Sequence, residues 1–232
     1  FAQSAVIYTQ SEPVTAGLYL VADGMGGATA GDLASRIVVE TCQQSWGELL
    51  CDTEFHQKTD SEWLSWVGGV LQKANQAIIE IAGGTEMGST ATLSLVINQR
   101  AYFAHVGDSR AYLIDADKIE QLTADHSLVA RLVRMGTLAQ EDAANHPQRH
   151  IIYKSLGAER TVKPDCFARL LSVSHALLLC SDGLHGMVND DQLLQVASNE
   201  KLGHTEKINV LINLANEAGG LDNITVVYVT FH

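Results

Sequence analysis

Three apolar stretches of this sequence each meet an aspartate. Leu18-Tyr19-Leu20-Val21-Ala22 ends at Asp23-Gly24, with Met25-Gly26-Gly27 behind it. Ala176-Leu177-Leu178-Leu179-Cys180-Ser181 ends at Asp182-Gly183. Leu221-Asp222-Asn223 leads into Ile224-Thr225-Val226-Val227-Tyr228-Val229. Taken singly, aspartate beside glycine or asparagine is turn chemistry, because the short carboxylate bonds its own neighbouring backbone. Taken together, carboxylates at the ends of three buried-type strands describe an oxygen-rich pocket for hard divalent cations. Without cations such carboxylates repel one another, and some keep their protons. A pair of Mg²⁺ or Mn²⁺ ions removes the repulsion, and two ions roughly 3.5–4 Å apart suit phosphoryl chemistry.

The 232 residues fit one domain, read as residues 1–232, and 46% hydrophobic content supplies a core. A net charge of −12 disfavours nucleic acid and anionic membrane surfaces as partners. It leaves phosphorylated substrates open, since bound metal inverts the local sign. Cys42, Cys51, Cys166 and Cys180 have no zinc-type spacing. They read as free thiols, Cys180 in the core, with a Cys42–Cys51 disulfide as the alternative. No apolar run approaches bilayer length, and the first residues show no basic start before an apolar block. A soluble cytoplasmic protein is expected.

The elements that must carry these residues follow from periodicity. Strands are expected over residues 5–8 and 17–22, with Thr9-Gln10-Ser11-Glu12-Pro13 turning between them. Helical spacing of Leu33, Ala34, Ile37, Val38 and Thr41 predicts a helix over 31–46, then a loop over 47–59. A second helix, capped by Asp60 or Ser61, buries Leu64, Val67, Leu71, Ala74, Ile78 and Ile81 and stops at Gly83-Gly84. Strands over 90–97, 101–106 and 110–114, linked by Asn98-Gln99-Arg100 and Gly107-Asp108-Ser109, read as an antiparallel meander. A further strand is expected over 118–122 and a short helix over 127–135. Residues 139–157 are the least core-like stretch and read as part of a flap, about 128–160. Strands over 163–170, 176–180 and 224–230 and helices over 190–198 and 205–218 complete an α+β chain.

Val21-Ala22-Asp23-Gly24-Met25-Gly26-Gly27, Gly88-Ser89-Thr90-Ala91, Gly107-Asp108-Ser109-Arg110, Thr123-Ala124-Asp125-His126-Ser127, Ser155-Leu156-Gly157, Ser181-Asp182-Gly183-Leu184 and Asp222-Asn223-Ile224-Thr225 stand in the order found in the protein phosphatase 2C (PPM) family. The sequence resembles that family over nearly its whole length, and its bacterial serine/threonine phosphatases most. The resemblance implies a four-layer α-β-β-α sandwich of two antiparallel sheets flanked by helices. It implies that Asp23 bridges two metal ions, that the Gly24 carbonyl adds a ligand, and that Asp182 and Asp222 complete the set. Asp108, with Asp182, would hold a third, weaker ion; a hairpin-turn residue is the alternative. The activity implied is hydrolysis of phosphoserine and phosphothreonine in proteins by a water bridging two divalent cations, Mn²⁺ or Mg²⁺. The partner implied is a phosphorylated protein in a signalling pathway, a serine/threonine kinase or its targets.

Other matched residues look structural. Gly88-Ser89-Thr90-Ala91 would allow close packing, and Arg110 would tie a turn through an ion pair. His126 reads as a structural histidine, with proton donation to the leaving alkoxide as the alternative. Met25 stands where animal members carry a histidine, so that candidate acid is absent. The family's amino-terminal strand, with its phosphate-clamping arginine and an acidic residue, has no matching position here; Glu12 does not take the role. The expectation is a chain that starts late or lacks the clamp. A pseudophosphatase that binds phosphoproteins is the alternative function, favoured by that departure and opposed by Asp23, Asp182 and Asp222.

Overall fold

The structure, a computed structural model, describes residues 1–8, 13–52, 54–143 and 146–231. In chain order the elements are β1 (Ala2–Tyr8), β2 (Pro13–Val21), the short β3 (Gly24–Met25), α1 (Ala28–Leu50) and α2 (Asp60–Ala82). Then come β4 (Gly88–Ser89), β5 (Ala91–Ile97), β6 (Arg100–Val106), β7 (Arg110–Ile114), β8 (Ile119–Gln121), α3 (Leu128–Arg134) and α4 (Gln140–Ala143). The chain finishes with β9 (Asp165–Leu170), β10 (Ala176–Cys180), α5 (Asp182–His185), α6 (Asp190–Ala197), α7 (His204–Glu217) and β11 (Val226–Thr230). The class is α+β, with antiparallel sheets and helices, as the sequence implies. Thr9, Gln10, Ser11 and Glu12, expected to form a turn, lie outside the described residues.

Contacts divide the chain into two compact units. The first comprises Phe1–Gly107 and Lys154–Leu171, the second Asp108–Tyr153 and Ser172–His232. The first unit holds a five-stranded antiparallel sheet in the order β1-β2-β5-β6-β9. Helices α1 and α2 pack on it, α1 through Ala34, Val38, Cys42 and Trp46 and α2 through Trp63, Val67, Leu71 and Ile78. These meet Leu18, Leu20, Leu93 and Leu95 of the sheet. Strand β5 is buried at every position but Ile97, its polar Thr92 and Ser94 included.

Helix α1 outruns its expected end, because Gly47 is tolerated and Leu49 continues the buried stripe. Leu33 and Ile81, expected on buried faces, are exposed. In α2, Gly68 packs close to Cys166, where a Cβ would stand 3.1 Å from the sulfur, whereas Gly69 faces open space.

The second unit holds a four-stranded antiparallel sheet in the order β11-β10-β7-β8. Tyr112, Ile114, Leu178 and Cys180 of this sheet pack on Leu184, Leu193, Val196, Leu211 and Ala215. The expected meander fails at its second link. β6 pairs with β5 and β9, while β7 pairs with β10 and β8. Gly107-Asp108-Ser109 is therefore a crossover between sheets and not a hairpin turn. Gly107 has φ of 110°, and a Cβ there would stand 2.5 Å from the Thr90 side chain, so the backbone turns where only glycine fits. Among the described residues no helix is long and apolar enough to cross a membrane.

Helix α2 is capped by Thr59 and not by the expected Asp60 or Ser61, and the cap is reciprocal. The Thr59 hydroxyl accepts from the Glu62 amide, and the Glu62 carboxylate accepts from the Thr59 amide at 2.8 Å. Thr59→Ala is expected to lower unfolding free energy by about 1 kcal/mol in urea denaturation.

Candidate metal centre

Asp23 and Gly24 lie in the first unit, immediately after β2. Two hydroxyls fix the aspartate backbone. Thr90 Oγ1 accepts from the Asp23 amide at 3.0 Å, and Ser89 Oγ donates to the Asp23 carbonyl at 3.0 Å. The Thr90 amide donates to the same carbonyl at 2.8 Å. Gly24 pairs with Ser89 across β3 and β4. A Cβ on Gly24 would stand 1.9 Å from the Gly31 carbonyl oxygen, so only glycine lets α1 approach this backbone. The close packing expected of Gly88-Ser89-Thr90-Ala91 is present: Ser89 and Leu156 exchange backbone hydrogen bonds at 3.1 and 2.9 Å. Leu156, expected within a poorly packed flap, is fully buried.

Asp182 and Asp222 lie in the second unit, at adjoining ends of β10 and β11. These strands pair up to Cys180 and Val226. Beyond the ladder, Ser181 fastens the two loops. Its Oγ donates to the Asn223 carbonyl at 3.1 Å and accepts from the Thr225 amide at 3.0 Å. A Cβ on Gly183 would stand 2.3 Å from the Asn223 carbonyl oxygen and 3.3 Å from that of Asp222. The glycine therefore sets how closely the Asp182 turn and the Asp222 loop approach. Asp182 also opens α5, a single helical turn that the sequence did not announce.

Asp108 begins the second unit and is 8% exposed. Burial, then the nearby Asp182 and Asp125 carboxylates, push its carboxyl from the ordinary 3.8 up to about 7. Asp125 is the partner of Arg110. The guanidinium donates from Nε at 2.9 Å to Oδ1 and from Nη2 at 2.7 Å to Oδ2, and from Nη1 to the Tyr112 hydroxyl at 3.0 Å. Burial opposes the guanidinium's charge, but the Asp125 contact overrides it and raises the pKa. Gln121 donates to Asp125 Oδ1 at 3.0 Å. The ion pair expected of Arg110 is thus formed, with an extensive network behind it.

His185 belongs to this neighbourhood and was not singled out from sequence. Its Nε2 lies 3.0 Å from the Asp108 carbonyl oxygen, so the ring donates. Burial and the Arg110 charge lower its pKa to about 4, which keeps the ring neutral. The only hint in the sequence is its place three residues after Asp182. His126 is buried, with its ring edge-on to Tyr153 at 5.7 Å, as the structural reading requires. Among the described residues no group of three or more His, Cys, Asp or Glu side chains is gathered closely enough to hold a metal ion. Within the second unit the donor set is nonetheless metal-like. It consists of hard carboxylate oxygens, and burial followed by the neighbouring carboxylates keeps that of Asp108 from ionising until about pH 7.

The family model described as Protein phosphatase 2C matches residues 3–131. The chain is 38% identical over 216 residues to the serine/threonine phosphatase stp of Listeria innocua serovar 6a, covering 91% of this chain and 83% of that one. It superposes on a crystal structure described as a bacterial serine phosphatase with a TM-score of 0.85 at 31% identity, over 100% of this chain and 91% of the other. The catalytic domain of the serine/threonine phosphatase PstP, solved with two manganese ions, matches with a TM-score of 0.74 at 30% identity, over 98% and 95% of the two chains.

Two outcomes follow from the geometry. Ser181→Ala removes both hydrogen bonds of a buried hydroxyl and is expected to destabilise the protein by about 1–3 kcal/mol in chemical denaturation. In metal-free protein the raised Asp108 pKa contributes stability that is complete below the unfolded value and is lost as pH rises through about 7. Asp108→Asn should therefore raise the melting temperature in chelator at pH 8, by the equivalent of roughly 1–3 kcal/mol, and make little difference at pH 4.

Proposed function

The chain belongs to the protein phosphatase 2C family, and we propose that it hydrolyses phosphoserine and phosphothreonine in proteins with the help of bound divalent cations. It is a protein serine/threonine phosphatase; the residues and cations assigned here are the reading that the site supports best. One observation carries it. The carboxyl of Asp108 is buried and crowded by Asp182 and Asp125, and the Arg110 charge, bonded to Asp125, does not offset that rise. A bound cation would favour the ionised form that burial and the neighbouring carboxylates disfavour at Asp108.

In this reading Asp23, the Gly24 carbonyl, Asp182 and Asp222 hold two ions, and Asp108 with Asp182 holds a third. Manganese is the first candidate, because the PstP structure was solved with it; magnesium suits the same oxygens. When bound, such ions polarise the phosphate and lower the pKa of water. The chain's own contribution is positional. Ser89 and Thr90 clamp the Asp23 backbone, Ser181 and Gly183 set the Asp182 and Asp222 loops, and Arg110 draws Asp125 aside.

Covalent catalysis by cysteine is not needed and is poorly supported. Burial pushes the thiols of Cys42 and Cys180 up to about 12, so neither is a thiolate at neutral pH. The whole chain is read as one catalytic domain, and its partner as a phosphorylated kinase or kinase target. The test is release of phosphate from a phosphothreonine peptide. Turnover should require added Mn²⁺ or Mg²⁺ and stop in chelator, and Asp182→Asn should lower it by at least about 100-fold. Turnover that persists in chelator defeats the metal reading.

A further inference from the structure

Helix α5 is one turn long, and both of its ends bear on the carboxylates. Asp182 opens it and His185 closes it. The turn is rigid. The Gly186 amide donates to the Asp182 carbonyl at 2.8 Å, and Leu184, between the two, is fully buried in the second core. From the far end His185 reaches the Asp108 carbonyl, 77 positions away in sequence, at 3.0 Å. One short helix thus carries the Asp182 carboxylate at one end and a bond to the Asp108 backbone at the other.

We propose that His185 is a positioning residue of the metal centre: its Nε2–H bond to the Asp108 carbonyl fixes the separation of the Asp108 and Asp182 carboxylates before a cation binds. The inference rests on the metal reading above. Mutual repulsion of the two carboxylates would move the Asp108 backbone away from the Asp182 turn, and the imidazole opposes that movement. A carbonyl oxygen can only accept, so the ring must donate, and a neutral ring carries one proton to place at Nε2. The bond goes to main chain, so His185 acts through Asp108 and not on substrate. Outer partners of this kind typically alter metal affinity by 10–100-fold when removed.

The test is calorimetric titration of Mn²⁺ into metal-free protein, with turnover measured in parallel over a range of Mn²⁺ concentrations. His185→Leu is expected to bind Mn²⁺ about 10-fold more weakly, raising the Mn²⁺ needed for half-maximal turnover while leaving the rate at saturating Mn²⁺ nearly unchanged. His185→Gln keeps an amide donor of similar reach and should bind within about threefold of the wild type. His185→Asn is one methylene shorter and should behave like the leucine variant. Should His185→Leu fail to fold, the glutamine–asparagine comparison decides, since both are polar and similar in size. Equal Mn²⁺ affinity in wild type and His185→Leu, or in the glutamine and asparagine variants, overturns the role of His185 and leaves the metal reading standing. A wild type that binds no Mn²⁺ overturns that reading, and this inference with it.

Discussion

Negative charge has to be kept in a confined place, and most of what is distinctive in the second unit answers that need. Asp108 is buried and lies close enough to Asp182 and Asp125 to feel the charge of both. A buried carboxylate without a counter-charge is costly, so it keeps its proton or finds a cation. Asp125 has found one. Its two-pronged contact with Arg110 is reinforced by Gln121 and Tyr112 and is largely shielded from water. A pair of that geometry, with its remaining donors also satisfied, can offset the desolvation of both partners. Burial and the neighbouring carboxylates shift the titration of Asp108 up to about 7.

Holding repelling groups in place requires stiff anchors, and the chain supplies them through hydroxyls and glycines beside each aspartate. Ser181 exchanges two hydrogen bonds with the Asp222 loop, while Ser89 and Thr90 do the equivalent for Asp23. Gly24 and Gly183 permit backbone contacts that any Cβ would block. Behind the anchors stand strands whose residues are almost entirely withdrawn from water, β5 and β10 above all. Burial of that kind resists displacement, because moving such a strand exposes apolar surface at roughly 25 cal/mol per Å².

The two kinds of sequence signal differed in reach. Apolar runs, periodicity and caps placed nearly all the elements, because each depends on residues a few positions apart. The errors have a common cause. Helix α1 continues through Gly47 because Leu49 finds a place in the core, which no local propensity reveals. Leu33 and Ile81 fit an apolar stripe in sequence but fall outside the contact with the sheet. Strands β6 and β7 are neighbours along the chain, yet each chose other partners. Pairing is a long-range decision, and a short link between strands is only a weak guide to it.

By itself the sequence determined the α+β class, the ordered motifs and the aspartates at the strand ends. Those features lie in residue types and local spacing, which survive without coordinates. Only the tertiary structure decided that Arg110 takes Asp125, that Gly107 crosses between sheets, and that His185 reaches the backbone of Asp108. Each of these joins positions separated along the chain, through directional bonds a few ångströms long, and one-dimensional spacing carries no record of such distances.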